Sequence, residues 1–223
     1  MAKLLAAGQE PEAAATRRNM PAIRKLVAEH SLQQARLRPV KAQTLQAMVP
    51  DNGRTAIVMD IMSAEKRCLA PIASCNARIL ILGSLPGDAS LAAGQYYAHP
   101  RNQFWVLMSG IIGQDLLAMR YASRLAILNR AAIALWDVIA QATRAGSLDH
   151  GILNVEPNNL RQFVDQMRHL RVIAFNGKKA AAVAGDAFCD STIDILHLPS
   201  SSPANTRNVE TKKVQWSALS AYL

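Results

Sequence analysis

The sequence predicts an α/β fold of three layers, a central four-stranded parallel sheet with helices on both faces. Four short runs, RILILG (78–83), AAIALWDV (131–138), RVIAFNG (171–177) and TIDILHLP (192–199), are apolar almost without interruption. Such runs mark strands buried on both faces, since a half-exposed strand alternates instead. A plausible helix lies between each run and the next, and strands alternating with helices build parallel sheets that bind ligands beyond the strands' carboxyl ends. The third observation is where the unusual residues fall. GSLPGD follows the first run, WD lies in the second, FNGKKA follows the third and HLPSSSPAN follows the fourth.

Ahead of the first strand, residues 1–61 stand apart. They are rich in Ala with scattered Lys and Arg, and every Phe, Trp and Tyr lies at or beyond Tyr96, so this third offers no large aromatic anchor for a core. Pro21–Leu37 reads as a helix: Pro21 suits a first turn, Ile23, Leu26, Val27 and Leu37 partly follow helical spacing, and Pro39 stops it. The expectation is a poorly ordered or helical N-terminal extension over 1–61, a candidate basic arm, with Met62 as a candidate native start. A single domain then spans 62–223, and 223 residues fit one domain with an appendage rather than two full domains.

Composition narrows the function classes. No run of about 18 uninterrupted apolar residues exists and the N-terminus lacks the apolar segment of a signal peptide. The expectation is a soluble cytoplasmic protein, associated with the nucleoid, with no membrane contact. Cys68, Cys75 and Cys189 are odd in number and far apart, which suits neither a disulfide framework nor a zinc site. A formal charge of +9 favours a polyanionic partner, because Lys and Arg gain affinity by displacing counterions from phosphates.

The motifs, taken one at a time, each have two readings. Gly83, Pro86 and Gly87 make a tight loop whose backbone N–H groups can face a ligand, or a simple turn; the spacing fits neither a dinucleotide fingerprint nor a P-loop. Tyr96 and Tyr97 precede His99, Pro100, Arg101 and Asn102, and a Tyr beside a strand end can stack on a planar base. Phe104 and Trp105 open an apparent helix and read as core, which makes Asn102 an N-cap candidate as well as a site candidate. Asn176 ends a strand ahead of Gly177 and Lys178, where an amide can pair with a base edge or simply make a turn. Ser200, Ser201 and Ser202 lie between two prolines and suit either a phosphate grip or a surface turn. His197 is a strand-end histidine or a catalytic one. Asp137 and Asp88 are the carboxylates nearest these motifs, with solvated or capping roles as their default, and no metal-ligand pattern accompanies them.

Jointly, GSLPGDASL…YYAHPRNQFW and HLPSSSPAN, in this order and spacing over about Ala70 to Leu223, resemble the uracil-DNA glycosylase superfamily, most closely its hypoxanthine-DNA (deoxyinosine) glycosylases. The resemblance implies an α/β/α sandwich around a four-stranded parallel sheet. It implies a monofunctional enzyme that flips a deaminated adenine out of DNA and hydrolyses its N-glycosidic bond in base excision repair. Mismatch-specific relatives carry a water-activating Asn in a GINPG-type motif, where this chain has Leu85. In the hypoxanthine family that role goes to the Asn of the PRN segment, here Asn102, with Asp88 as the rival. The pocket is then expected from Gly83, Ser84, Leu85, Pro86, Gly87, Tyr97 and Asn176, with Tyr97 stacking on the base. DNA contacts are expected from Lys178, Ser200, Ser201 and Ser202, and from Ser84 as a further phosphate contact. Three cysteines cannot supply the four ligands of the superfamily's iron–sulfur branches, so no cofactor and no metal are expected. The implied partner is DNA containing deaminated bases, bound by a monomer. No lysine is clearly placed for Schiff-base chemistry, which argues against lyase activity. Two other readings stay open: a uracil or mismatch glycosylase of the same fold, and a DNA-lesion binder without catalysis.

Overall fold

The computed structural model describes residues 64–185 and 187–223. The extension over 1–61, the Pro21–Leu37 helix and the Met62 start lie outside the described residues.

All four expected strands form. They are β2 (Ile79–Gly83), β3 (Ile133–Asp137), β6 (Val172–Asn176) and β7 (Asp194–Leu198), and they pair in the order β3-β2-β6-β7, every pair parallel. Successive side chains of a strand point to opposite faces, and the packing follows that rule. Leu80, Leu82, Ala134, Trp136, Ile173 and Phe175 join one core cluster, while Ile79, Ile81, Ile133, Leu135, Val172 and Ala174 join the other. With both faces buried, β2, β3 and β6 have no polar side to show, which is why they read as unbroken apolar runs, while β7 at the sheet edge leaves Asp194 and His197 exposed.

Helices α2 (Phe104–Ile112), α3 (Tyr121–Arg130) and α6 (Val209–Trp216) cover the second face. They contribute Phe104, Leu107, Met108, Leu128 and Trp216, all at most 1% exposed, each worth roughly 1.5–3 kcal/mol of burial. The first face meets α4 (Leu160–Val164), α5 (Lys178–Ala184) and a second sheet. That second sheet, β1-β4-β5, was not expected: β1 (Ala64–Arg67) and β5 (Ile152–Pro157) each pair antiparallel with β4 (Ile139–Arg144). It stands where the sequence suggested helix between the second and third strands, leaving only the five residues of α4 there. The run read as 131–138 ends at Asp137, and the chain turns directly into β4, with Val138 N–H donating to Gly83 O at 2.8 Å.

Parallel pairing brings the four strand ends to one edge. Gly83 lies opposite Asp137 and Asn176 opposite Leu198.

Candidate active site

A cavity of about 380 Å³ opens at this edge, bounded by the loop that runs from Gly83 into α1 (Asp88–Ala93), by Tyr96–Asn102, by the segment before β5, and by the serine loop after β7. Its lining includes Gly83, Ser84, Leu85, Pro86, Gly87, Asp88, Tyr97, Asn102, Asn176, Ser200, Ser201 and Ser202. Residues spread over 120 positions of the chain are thus gathered at one place. Lys178 is not among them. It lines a neighbouring cavity of about 700 Å³ with Lys179, His197, Arg207 and Ser200. His197 is exposed there, its ring 5.7 Å from that of Phe175.

The GSLPG loop is held from behind. Val138 N–H takes Gly83 O, Ile139 N–H takes Ser84 O, and the guanidinium of Arg144 takes Leu85 O and Pro86 O. A planar trans peptide points its C=O and N–H in opposite directions, so the Leu85 and Gly87 N–H groups point away from the donors that hold Ser84 O and Pro86 O, on residues that line the cavity. Leu85 is buried in the core, leaving its backbone as the part that can meet a ligand. Ser84 Oγ donates to Asp149 at 2.8 Å.

Arg144 is 1% exposed and also donates to Gly146 O at 3.0 Å. Lys66, nearly buried on β1, bonds Gly146 O and forms an ion pair with Asp88. The unexpected second sheet thereby supplies two cations that fix the first motif. The hydrogen bond from Lys66 holds the Asp88 carboxyl below the usual carboxylate value, helped by Ser147.

Tyr97 has φ +55, a left-handed conformation that costs an L-residue about 1–2 kcal/mol. Phe104 stacks on its ring at 3.8 Å and 16°, and its hydroxyl is buried without a hydrogen-bond partner among the described residues. Burial first, then the nearby Asp137, push its pKa well up, with Asn176 opposing. Tyr96 is core, sharing its hydroxyl between Leu69 O and Ala70 O at 3.2 Å each.

Asn102 reads as an N-cap candidate in the sequence, but the N-cap of α2 is the next residue, Gln103. Asn102 Oδ1 accepts from Phe104 N–H at 3.0 Å at the start of α2, and the residue lines the cavity. One lone pair of Oδ1 remains for another donor. Asn176 is tied to the serine loop: its Nδ2 donates to Ser201 Oγ at 2.9 Å and its Oδ1 accepts from Ser201 N–H at 2.8 Å. That loop is tied in turn to the Asn102 segment, by Gln103 N–H on Ser201 O at 3.0 Å and by buried Lys212 on Gln103 Oε1 at 2.7 Å. Gly177, at φ +105, has no room for a Cβ, which would sit 2.9 Å from that of Ser200.

Asp137 departs most from expectation. The sequence suggested a solvated or capping carboxylate, but it is 4% exposed and its Oδ2 has no hydrogen-bond partner among the described residues. Burial pushes its pKa up to about 7, Asp149 adds to this, and Tyr96 and Arg144 oppose it. Only glycine fits opposite, since a Cβ at Gly83 would lie 2.6 Å from Asp137 Oδ1. The signal available in sequence was a single Asp closing an otherwise apolar strand.

The model of one family, the uracil DNA glycosylase superfamily, matches residues 71–221. The chain belongs to this superfamily. It is 40% identical over 152 residues to a protein of Methanosarcina barkeri named hypoxanthine DNA glycosylase, covering 68% of this chain and 96% of that one. A protein of Methanosarcina acetivorans with the same name is 38% identical over 154 residues, 69% of this chain and 97% of that one. Among solved structures, the solution NMR structure of a proposed uracil DNA glycosylase from M. acetivorans superposes with a TM-score of 0.65 at 37% identity, covering 70% of this chain and 97% of that one. The superfamily match spans the four-stranded sheet, β4, β5 and the whole cavity, with β1 lying ahead of it, so the strand-edge site lies within the matched region. Among the described residues no group of three His, Cys, Asp or Glu could hold a metal ion, and no helix is long and apolar enough to cross a membrane.

Proposed function

We propose that this DNA glycosylase removes hypoxanthine from DNA, flipping the deaminated adenosine into the strand-edge cavity and hydrolysing its N-glycosidic bond. The observation that carries the reading is the convergence of the Asn102 amide and the Tyr97 ring on one base-sized cavity, in a chain similar over its whole domain to proteins named for that activity.

A base inside a duplex is unreachable, so the nucleotide must leave the stack and the lost stacking must be recovered in the pocket. Tyr97 is suited to this, because Phe104 fixes its ring from one side and the positive φ aims it. As the bond breaks, positive charge grows on the sugar and negative charge leaves with the purine, so a weakly activated water suffices as nucleophile. Asn102 Oδ1 orients that water. Asp88 is the poorer candidate, since its carboxylate is engaged by Lys66 and its depressed pKa makes it a weak base. The Leu85 and Gly87 N–H groups face the departing charge, and preorganised dipoles of this kind are a large part of catalysis in a dry site. With its amide engaged by Ser201, Asn176 acts chiefly by placing the serine loop. Ser200 and Ser202 on that loop, with Lys178 and Arg207 beside it, grip the flanking strand. A single chain carries every group the reaction uses, which supports action as a monomer.

Incubation with inosine-containing and uracil-containing duplexes, followed by alkaline cleavage of abasic sites, tests the substrate. Release at inosine is expected. Efficient release at uracil alone would favour the uracil or mismatch reading, and tight inosine-duplex binding without abasic product would favour a non-catalytic lesion binder.

A further inference from the structure

The mechanism above leaves a buried carboxyl in the cavity unused. The Asp137 carboxyl ends β3, is buried, lines the cavity beside Tyr97 and Gly83, and has an oxygen without a hydrogen-bond partner among the described residues. A buried carboxyl with one oxygen unpaired is costly to keep unless something meets that oxygen. Purines differ from pyrimidines as leaving groups in a way that suits such an acid: N7 is an acceptor, and a proton delivered there lets the base depart as a neutral molecule.

Resting on the reading of the site as a hypoxanthine glycosylase, we propose that Asp137 is the general acid that protonates the departing purine at N7. In this step the C1′–N9 bond breaks and its electron pair passes into the purine ring, while the Asp137 proton moves to N7. The oxygen of the water on Asn102 bonds to C1′, and that water's proton goes to solvent. Hypoxanthine leaves neutral, and the Asp137 carboxylate takes up a proton from solvent before the next turnover.

The surroundings keep the acid protonated near neutrality. Facing it are Tyr96 and Tyr97 from the segment between α1 and α2, Cys68 after β1, Arg144 on β4 and Asp149 before β5. Arg144 is the one cation in this set, and its guanidinium is committed to the carbonyls of Leu85, Pro86 and Gly146. Burial and Asp149 favour the neutral acid and outweigh Arg144 and Tyr96. A bound purine displaces further water, which favours it more. A carboxylic acid held neutral in an apolar site so that it can donate is an established device of catalysis.

The test is a cycle of single-turnover rates with native protein and Asp137→Asn on duplexes containing inosine or 7-deazainosine, which lacks the N7 acceptor. Asp137→Asn is expected to slow inosine cleavage by about 100-fold or more. It should leave the 7-deazainosine rate within about threefold, because the proton has nowhere to go. Binding of a non-cleavable 2′-fluoro-arabino-inosine duplex should stay within about threefold, which reports an intact pocket. The native protein alone gives a second readout: its inosine rate should fall as alkali ionises Asp137, and its 7-deazainosine rate should not. An inosine rate preserved in Asp137→Asn, equal slowing of both substrates, or the same alkaline fall on both would overturn the proposal. Absence of hypoxanthine release by the native protein would instead overturn the functional reading beneath it.

Discussion

A carboxyl group at the end of a strand ordinarily sits in water, and its proton leaves near pH 4. Asp137 differs because β2 and β3 set it opposite Gly83, near Tyr96 and Tyr97 and out of solvent. The consequence for stability has a definite sign. Its native pKa is raised from 3.8 to about 7, so between these values the unfolded chain has lost the proton that the native chain still holds. Stability therefore declines as pH climbs from about 4 to about 7 and levels off above. Each step of one in pKa is worth about 1.4 kcal/mol, which makes the decline on the order of 4 kcal/mol at most. Asp137→Asn removes it. Denaturant melts at pH 4 and pH 8 should show the variant gaining on the native protein at the higher pH, and equal gains at both would contradict a neutral buried acid. At neighbouring positions the residue scale is equally exacting: Tyr97 accepts a left-handed backbone, and Asn102 accepts from Phe104 N–H ahead of α2 while lining the cavity.

Between elements, the link from the second sheet to the first motif matters most. Arg144 on β4 reaches across to the carbonyls that shape the GSLPG loop, and Lys66 on β1 braces Asp88 and Gly146. Arg144→Met would keep much of the side-chain volume and leave the Leu85 and Pro86 carbonyls short of a donor. A destabilisation of about 3 kcal/mol is expected, with kcat reduced more than DNA affinity as the loop N–H groups lose their aim. Urea unfolding together with single-turnover kinetics checks both parts. None of this was legible in the sequence. Three of the parallel strands could be read because burial on both faces leaves an unbroken apolar run, and β7 because Ile195, Leu196 and Leu198 keep its run mostly apolar. In contrast β1 is only Ala-Glu-Lys-Arg and β5 is exposed at all but Ile152, so each is a strand only through its pairing with β4. The cavity-lining loops were legible as Gly, Pro, Ser and aromatic clusters at strand ends. Asp137 was not, because its strangeness lies in burial, which one letter among apolar neighbours does not express. Lys178, expected as a DNA contact and not as a pocket residue, lines the adjoining hollow at the start of the helix that Gly177 opens.

Over the whole molecule, charge and topology act together. A formal charge of +9 favours attraction to DNA, and the proposed place for it is the cavity edge, where Lys178, Lys179 and Arg207 line the adjoining hollow. Binding should weaken linearly in log salt, with each phosphate contact contributing about 0.9 to the slope. Lys178→Ala and Arg207→Ala should each lower the slope by about that amount while leaving the preference for inosine over adenosine unchanged; fluorescence anisotropy across a salt series measures it. A variant that changes preference but not slope would mean these residues read the base instead of the backbone. The central claim, that the strand-edge cavity excises a deaminated purine with Asn102 holding the water, is tested most directly by mass spectrometry of the base released from an inosine duplex. The native protein should yield free hypoxanthine and an abasic strand in equal amounts, and Asn102→Ala should do so about 100-fold more slowly or less. No hypoxanthine from the native protein, or an undiminished rate from Asn102→Ala, would contradict it.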